Sequence, residues 1–212
     1  MPIVRALMLS VLFVGSAAAA PARQPAAAPF QGPALAQDKV LSRAIDSISV
    51  SSSALGPGGA IPLANSGYGK SLSFPVSWSG GPKGTKAYAL IMEDPDSHLA
   101  QPTLHWLAYN IPASATSLGR AIKNRIEITG AHGFMQGINS QGGIGYVGPN
   151  PAVGDPPHHY HIQVFALSRT LPVSPGATLD QVIQAMSDRV LAEGELVATF
   201  QAPEPKPPRA GN

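Results

Sequence analysis

The sequence contains no cysteine, so disulfide bonds and thiol chemistry are excluded. Charged residues make up 12% of its 212 residues, about half the share that is usual in soluble domains. The 14 Lys and Arg residues form no basic run and the net charge is only +2, so we predict no nucleic-acid partner. The composition therefore favours a single, weakly charged domain, long enough to bury a sizeable core.

Glycine and proline, by contrast, are abundant, with 22 residues of each. So many turn-forming residues favour a β-rich fold over a helical bundle. Six segments have the composition of strands, and two of them are especially clear. Residues 87–94 are almost continuously apolar, which predicts a strand buried on both faces. Residues 159–167 alternate, which places Tyr160, Ile162, Val164 and Ala166 on one side. The other four segments are 46–52, 71–78, 104–112 and 195–201.

One helix is predicted over residues 178–194. Thr178 and Gln181 have the spacing of a capping box, and Gly194 suits the position that ends a helix. Its apolar residues share one face and should cover the open side or end of a sheet; they are Leu179, Val182, Ile183, Met186, Val190 and Leu191. The pattern as a whole predicts a mostly β, antiparallel two-sheet sandwich with a few peripheral helices.

Residues 1–20 have the pattern of a signal peptide. Arg5 precedes an apolar run over residues 6–14, and Ser16 and four alanines follow. That run is too short for a membrane span of about 20 residues, so we favour a cleaved signal over an anchor and expect a periplasmic or secreted protein. Residues 21–37 are predicted to be a flexible Ala/Pro-rich leader, 38–202 the folded domain and 203–212 a Pro-rich tail.

Three places carry residues suited to chemistry. Asp94 and Asp96 follow the buried strand, where they could orient histidines, bind a cation, or simply cap their own turn. His105 lies in an apolar strand beside Trp106, as a core histidine would also do. Finally, a Gly/Pro-rich stretch, 145–157, leads into His158, His159, Tyr160 and His161.

Alternation divides this last cluster into two pairs on opposite faces of a strand. His158 shares the inner face with Tyr160. His159 and His161 form an H-x-H pair, a possible metal ligand set, although a solvated outer face is favoured. We expect neither of these two imidazoles to meet Asp94 or Asp96. The sequence has no G-x-S-x-G elbow and no phosphate-binding P-loop, so we predict no enzyme, no cofactor and no bound metal.

Taken together, these motifs resemble the phosphatidylethanolamine-binding protein family, in its bacterial Raf-kinase-inhibitor-like branch. They are "DPD" at 94–96, "HWLAYNIP" at 105–112, "GIGYVGPNP" at 143–151 and "HHY" at 158–160, followed by "HIQVFAL". The resemblance covers about residues 45–200. It implies a two-sheet antiparallel sandwich with a small pocket for phosphate, acetate or phosphoryl head groups. By motif position the pocket residues would be Asp94, Asp96, His105, Gly148, Pro149, His158 and Tyr160.

Two departures from the family pattern stand near this pocket. The family usually continues as "DPDAP", whereas this chain reads "DPDSH", with His98 in place of the second proline. The middle residue of the family's "HRY" is His159 here, so a fixed positive charge is missing near the rim. The prolines would restrict the conformations of the loop, so that less conformational entropy is lost when an anion binds. Glycine would let the backbone approach a ligand closely.

Three functions follow from these observations. We favour an exported module that binds a small anion, with His105 and His158 supplying N–H donors oriented by a nearby aspartate. A metal-dependent enzyme using His159 and His161 is the second. A protein-interaction inhibitor acting through the same surface, with an unknown partner, is the third. A homodimeric state is left open.

Overall fold

The computed structural model describes residues 33–40 and 46–204. The predicted signal peptide and most of the predicted leader and tail lie outside these ranges. The described residues contain two helices, α1 (Ala36–Lys39) and α2 (Leu179–Met186), and short 3-10 turns at Pro57–Gly59 and Leu63–Asn65. The strands are β1 (Asp46–Ser47), β2 (Val50–Ser51), β3 (Val76–Trp78), β4 (Ala87–Asp94), β5 (Thr103–Pro112), β6 (Ser117–Leu118), β7 (Glu127–Ile128), β8 (Phe134–Gln136), β9 (His158–Leu167) and β10 (Val190–Phe200).

The strands form two sheets. The larger has seven strands in the order β1-β10-β9-β4-β5-β8-β7, and the smaller has three in the order β2-β3-β6. Neighbouring strands are antiparallel except for β1, which pairs parallel to β10. The predicted mostly β, two-sheet architecture with few helices is therefore confirmed. Within the described ranges, neither helix has the length and apolar character needed to cross a bilayer.

The large sheet is buried on both faces. One face packs against the small sheet, where Trp78 of β3 meets Tyr88 of β4 edge to face with ring centroids 5.4 Å apart. The other face is covered by α2, through Val182 and Met186, and by the N-terminal segment that includes Ala36. This double covering explains why all eight residues of β4 are buried, as its continuous apolar run predicts.

Alternation along β9 also agrees with the sequence prediction. Tyr160, Ile162, Val164 and Ala166 all belong to the core between the two sheets. Gln163 belongs to the opposite face, where its side-chain amide donates to Glu93 of β4 over 2.8 Å. Two sides of one strand thus serve two different environments, which is the geometric basis of the site described below.

The helix predicted over 178–194 is correct only in its first half. Its capping box forms, because the Thr178 hydroxyl accepts from the Gln181 N–H and the Gln181 side chain accepts from the Thr178 N–H. The helix ends at Met186, however, and Asp188 takes a left-handed conformation with φ of 58°. From Val190 the chain is a strand paired with β9. Val190 is buried on the side of the sheet that α2 covers, and a bulge after it places Ala192 in the core between the two sheets.

The boundary of the predicted flexible leader also needs correction. Residues 33–37 were assigned to it by composition, yet Leu35 and Ala36 are buried. The Ala36 N–H donates to the Glu93 carboxylate over 2.7 Å, and the Gln37 N–H donates to Gln163 over 2.8 Å. Because two buried polar side chains of the sheet need these backbone donors, this segment belongs to the folded domain.

Candidate functional site

The candidate site lies at one end of the large sheet, where three adjacent strands carry polar side chains. β4 ends at Asp94, β5 carries His105, and β9 begins with His158 and continues to Tyr160. β4 lies between the other two strands. All four side chains belong to residues that are buried. The structure therefore brings together these four predicted site residues.

His158 is held between two carboxylates. Its Nδ1 lies 2.9 Å from Asp94 Oδ2, and because a carboxylate only accepts, Nδ1 carries the hydrogen. Its Nε2 lies 3.7 Å from Asp155 Oδ2, which is an ion-pair distance but too long for a direct hydrogen bond. The other oxygen of Asp94 accepts from the Asp96 N–H over 2.9 Å. His158 is thus oriented by Asp94 and can present Nε2–H to an acceptor when it is protonated.

His105 is oriented differently from the sequence-based expectation. Its Nδ1 lies 2.8 Å from the Val147 carbonyl oxygen, so this nitrogen donates and its hydrogen is already used. Burial lowers the pKa of His105, against the opposing effects of the Val147 carbonyl and the Asp94 charge. In the neutral ring, Nε2 is therefore an acceptor. The expectation that His105 offers an N–H donor to a ligand is not met in this arrangement.

Tyr160 adds a second unusual polar atom. Its ring packs edge to face on the His105 ring, with centroids 5.1 Å apart. Burial, reinforced by the charge of the nearby Asp94 carboxylate, raises the pKa of Tyr160, so its hydroxyl keeps its hydrogen. That carboxylate does not meet hydrogen-bond geometry with the hydroxyl. The Tyr160 hydroxyl and His105 Nε2 are both buried without a hydrogen-bond partner among the described residues. Leaving each unpaired costs about 1–3 kcal/mol, a cost that is typical of groups reserved for a ligand or water.

The Gly/Pro-rich loop adjoins the site through the Val147 carbonyl and the Asp155 carboxylate, but two of its residues act differently from the prediction. The Gly148 N–H donates to the Ser71 hydroxyl over 2.7 Å, and the Pro149 carbonyl accepts from the Gly67 N–H over 2.7 Å. A Cβ on Gly148 would lie 2.6 Å from the backbone of Ser66. The glycine is therefore required by close packing of two loops rather than by approach to a ligand.

Asp96 and the H-x-H pair contradict the predicted separation of the two faces. Asp96 Oδ2 accepts from both the backbone N–H and Nδ1 of His159, each over 2.7 Å. Because Asp96 lies in a turn beyond the strand, the alternation rule does not fix the direction of its side chain. His161 bonds instead to Glu195 over 2.7 Å. The two imidazoles are therefore held by different carboxylates.

Two residues near the site were not predicted as part of it, namely His98 and Asp155. Asp155 lies in the loop, three residues before His158, and its carboxylate is 3.5 Å from His98 Nε2. The His98 ring lies edge to face with the His158 ring, with centroids 6.4 Å apart. The sequence singled out His98 only as a departure from a motif. Its proximity to Asp155 depends on two loops that are more than fifty residues apart.

Known proteins are similar to this chain over the strands that carry the site. A family profile described as "Phosphatidylethanolamine-binding protein" matches residues 51–201. A UPF0098 protein of Methanothermobacter thermautotrophicus is 35% identical over 143 residues, which cover 68% of this chain and 91% of the relative. The Escherichia coli UPF0098 protein YbcL is 33% identical over 127 residues, covering 59% of this chain and 69% of that protein.

Solved structures agree. The crystal structure of YbcL, described as a new member of the mammalian PEBP family, has a TM-score of 0.66 and 30% identity, and covers 74% of this chain and 99% of its own. A homologue of phosphatidylethanolamine-binding protein from Chlamydia trachomatis has a TM-score of 0.65 with the same identity and coverage. Since the matched range contains every strand that builds the site, the chain belongs to the phosphatidylethanolamine-binding protein family.

Proposed function

We propose that this protein is an exported module that binds a small oxyanion, such as a phosphoryl head group or a carboxylate, without a catalytic cofactor. The single observation that carries the proposal is the pair of buried, unpartnered polar atoms on adjoining rings, His105 Nε2 and the Tyr160 hydroxyl. His158 stands beside them on the same inner face. A small ligand with several oxygen atoms would satisfy such a group of polar atoms.

The surroundings favour binding over turnover. Asp94 orients His158, and the loop that adjoins the site is fixed by hydrogen bonds at Gly148 and Pro149. A pre-formed loop loses little entropy when a ligand binds. The site offers acids and bases, but none of the site residues is an activated nucleophile and no cofactor motif accompanies them.

Calorimetric titration of the mature protein with phosphate, acetate and phosphoethanolamine tests the proposal directly. Saturable binding of at least one of these ligands is expected in the wild type. A crystal grown from phosphate or acetate buffer should show the ligand between His105 and His158. If no oxyanion binds at any accessible concentration, the hypothesis of a protein-interaction inhibitor replaces this one. Metal analysis of untagged protein separates both from the metalloenzyme hypothesis, which requires a stoichiometric transition metal.

The proposal of export is tested separately. Mass spectrometry of the protein from its native host should find an N-terminus between about residues 18 and 22, after the alanine run. An intact Met1 in the periplasmic fraction would contradict cleavage. This outcome would leave the anion-binding proposal unaffected, since the site lies wholly within residues 94–160.

A further inference from the structure

The positions of the hydrogens on His105 and Tyr160 restrict the chemical class of ligand that the site can bind. His105 Nδ1 donates to the Val147 carbonyl over 2.8 Å. In the neutral ring the other nitrogen, Nε2, therefore carries a lone pair and accepts a hydrogen bond. The Tyr160 hydroxyl is the opposite case, because it has a hydrogen to donate. Both atoms are buried and lack partners among the described residues. A complementary ligand must therefore offer one hydrogen and one lone pair.

The charges around His105 oppose a doubly negative ligand. From β4 it faces the Asp94 carboxylate, from β9 it faces His158 and the Tyr160 ring, and from the loop it faces the uncharged Val147 carbonyl. Asp155 lies on the far side of His158 at 3.7 Å. Two carboxylates, Asp94 and Asp155, thus flank His158. A second negative charge on the ligand would face these carboxylates without a fixed cation to balance it.

We infer that the site binds the protonated form of an oxyacid, with the ligand's own hydroxyl donating to His105 Nε2 and one of its oxygens accepting from the Tyr160 hydroxyl. This inference rests on the proposed function and specifies its ligand class. The class comprises neutral carboxylic acids and phosphate monoesters in their singly charged form, and both of these retain an O–H group. Phosphate diesters have the same single charge but no such hydrogen, and are therefore excluded.

Proton uptake on binding is the measurable consequence. A phosphate monoester loses its second proton with a pKa of about 6, so at pH 7.5 it is mostly doubly charged in solution. Protonation of the ligand should then add close to one proton to the number taken up on binding. Calorimetry of methyl phosphate in two buffers with different ionisation enthalpies measures this number directly. Dimethyl phosphate, tested in the same way, should bind at least about tenfold more weakly and take up about one proton fewer than methyl phosphate, because any proton that the protein gains on binding an anion is common to both ligands.

Two variants locate the proton. His105→Gln places an amide at this position, and it should abolish the preference for methyl phosphate over dimethyl phosphate. Tyr160→Phe removes only the donor, so it should weaken methyl phosphate binding, while methyl phosphate still takes up about one proton more than dimethyl phosphate. Melting temperatures of both variants report whether they fold. If a variant does not fold, the comparison of methyl phosphate with dimethyl phosphate in the wild type still tests the inference.

The failure of this inference is distinct from that of the proposed function. If methyl phosphate binds without proton uptake, or if dimethyl phosphate binds equally well, an anion site exists but the ligand supplies no hydrogen. If dimethyl phosphate binding takes up as many protons as methyl phosphate binding, those protons go to protein side chains and the inference is wrong. Binding of neither ligand would remove the proposed function itself.

Discussion

Asp94 Oδ2 lies 2.9 Å from Nδ1 of His158, and only 6% of each side chain is exposed. This hydrogen bond leaves Nε2 of His158 free for other partners, because the Nδ1–H donates to Asp94. It also joins the end of β4 to the start of β9 at the point where the buried polar atoms are concentrated. The first prediction follows from this link.

His158→Ala should lose most of the affinity for a small oxyanion, whereas His161→Ala should leave it nearly unchanged. His158 shares the inner face with Tyr160, while His161 lies on the other face and bonds to Glu195. Loss of a charge-assisted hydrogen bond costs roughly 1.5–3 kcal/mol, which is about a ten- to hundredfold change. Titration of phosphate into both variants measures it. A damaging His161→Ala would place the site on the opposite face.

Asp155→Asn should strengthen binding of oxyanions by a few-fold. The Asp155 carboxylate lies 3.7 Å from His158 Nε2, where it competes with any anion for that nitrogen. Because its side chain is 22% exposed, solvent and salt weaken the repulsion, and the gain should shrink as ionic strength rises. Asp180→Asn is the matched control, since it makes the same charge change on an exposed part of α2. Equal affinities of Asp155→Asn and the wild type would show that Asp155 leaves the site when a ligand enters.

The sequence was a good guide wherever a residue's environment depends on its own strand. The range of β4 and the inner-face position of His158 and Tyr160 follow from apolar continuity and from alternation. It was a poor guide where one pattern continues into the next element. Val190 fits the helical period of the residues before it, but its pairing with β9 makes it a strand residue.

Contacts between loops were beyond the reach of sequence patterns. Asp96 meets His159, and Asp155 meets His98, because turns at the same end of the sheet are brought together by strand pairing. Alternation fixes side-chain direction inside strands but not in the turns that follow them. The burial of Leu35 and Ala36 likewise depends on backbone donors that Glu93 and Gln163 require, which composition does not reveal.

Glu93→Gln should make stability less sensitive to pH. Burial raises the pKa of Glu93 above its ordinary value of 4.5, although the Ala36 N–H, Gln163, Lys39 and His161 oppose the change. A carboxyl group whose pKa is higher in the folded state favours folding most at low pH, and this contribution is lost as pH rises through the raised pKa. The wild type should therefore lose stability relative to Glu93→Gln as the pH rises from 4.5 through the raised pKa of Glu93.

Urea unfolding of both proteins at several pH values measures this difference. Glutamine can keep one oxygen as acceptor for the Ala36 and Gln163 donors, and its amide replaces Glu93 Oε1, which has no partner among the described residues. Glu127→Gln, on the exposed strand β7, is the control and should show no such trend. A constant difference between wild type and Glu93→Gln would mean that Glu93 titrates alike in both states.

Gly148→Ala separates the two explanations of the glycine in the site loop. Its Cβ would lie 2.6 Å from the carbonyl carbon of Ser66 and 2.7 Å from Asn65 O and Gly67 N, all of them backbone atoms. Backbone cannot yield as a flexible side chain does, so residues 65–67 must move away and weaken the bond from the Gly67 N–H to the Pro149 carbonyl. Overpacking of this kind costs about 1–3 kcal/mol.

Gly119→Ala is the control, because no heavy atom lies within 4 Å of the added Cβ, and it should change stability by less than about 0.5 kcal/mol. Urea unfolding and phosphate titration of both variants decide the matter. A Gly148→Ala protein of normal stability that no longer binds phosphate would restore the view that this glycine makes room for a ligand.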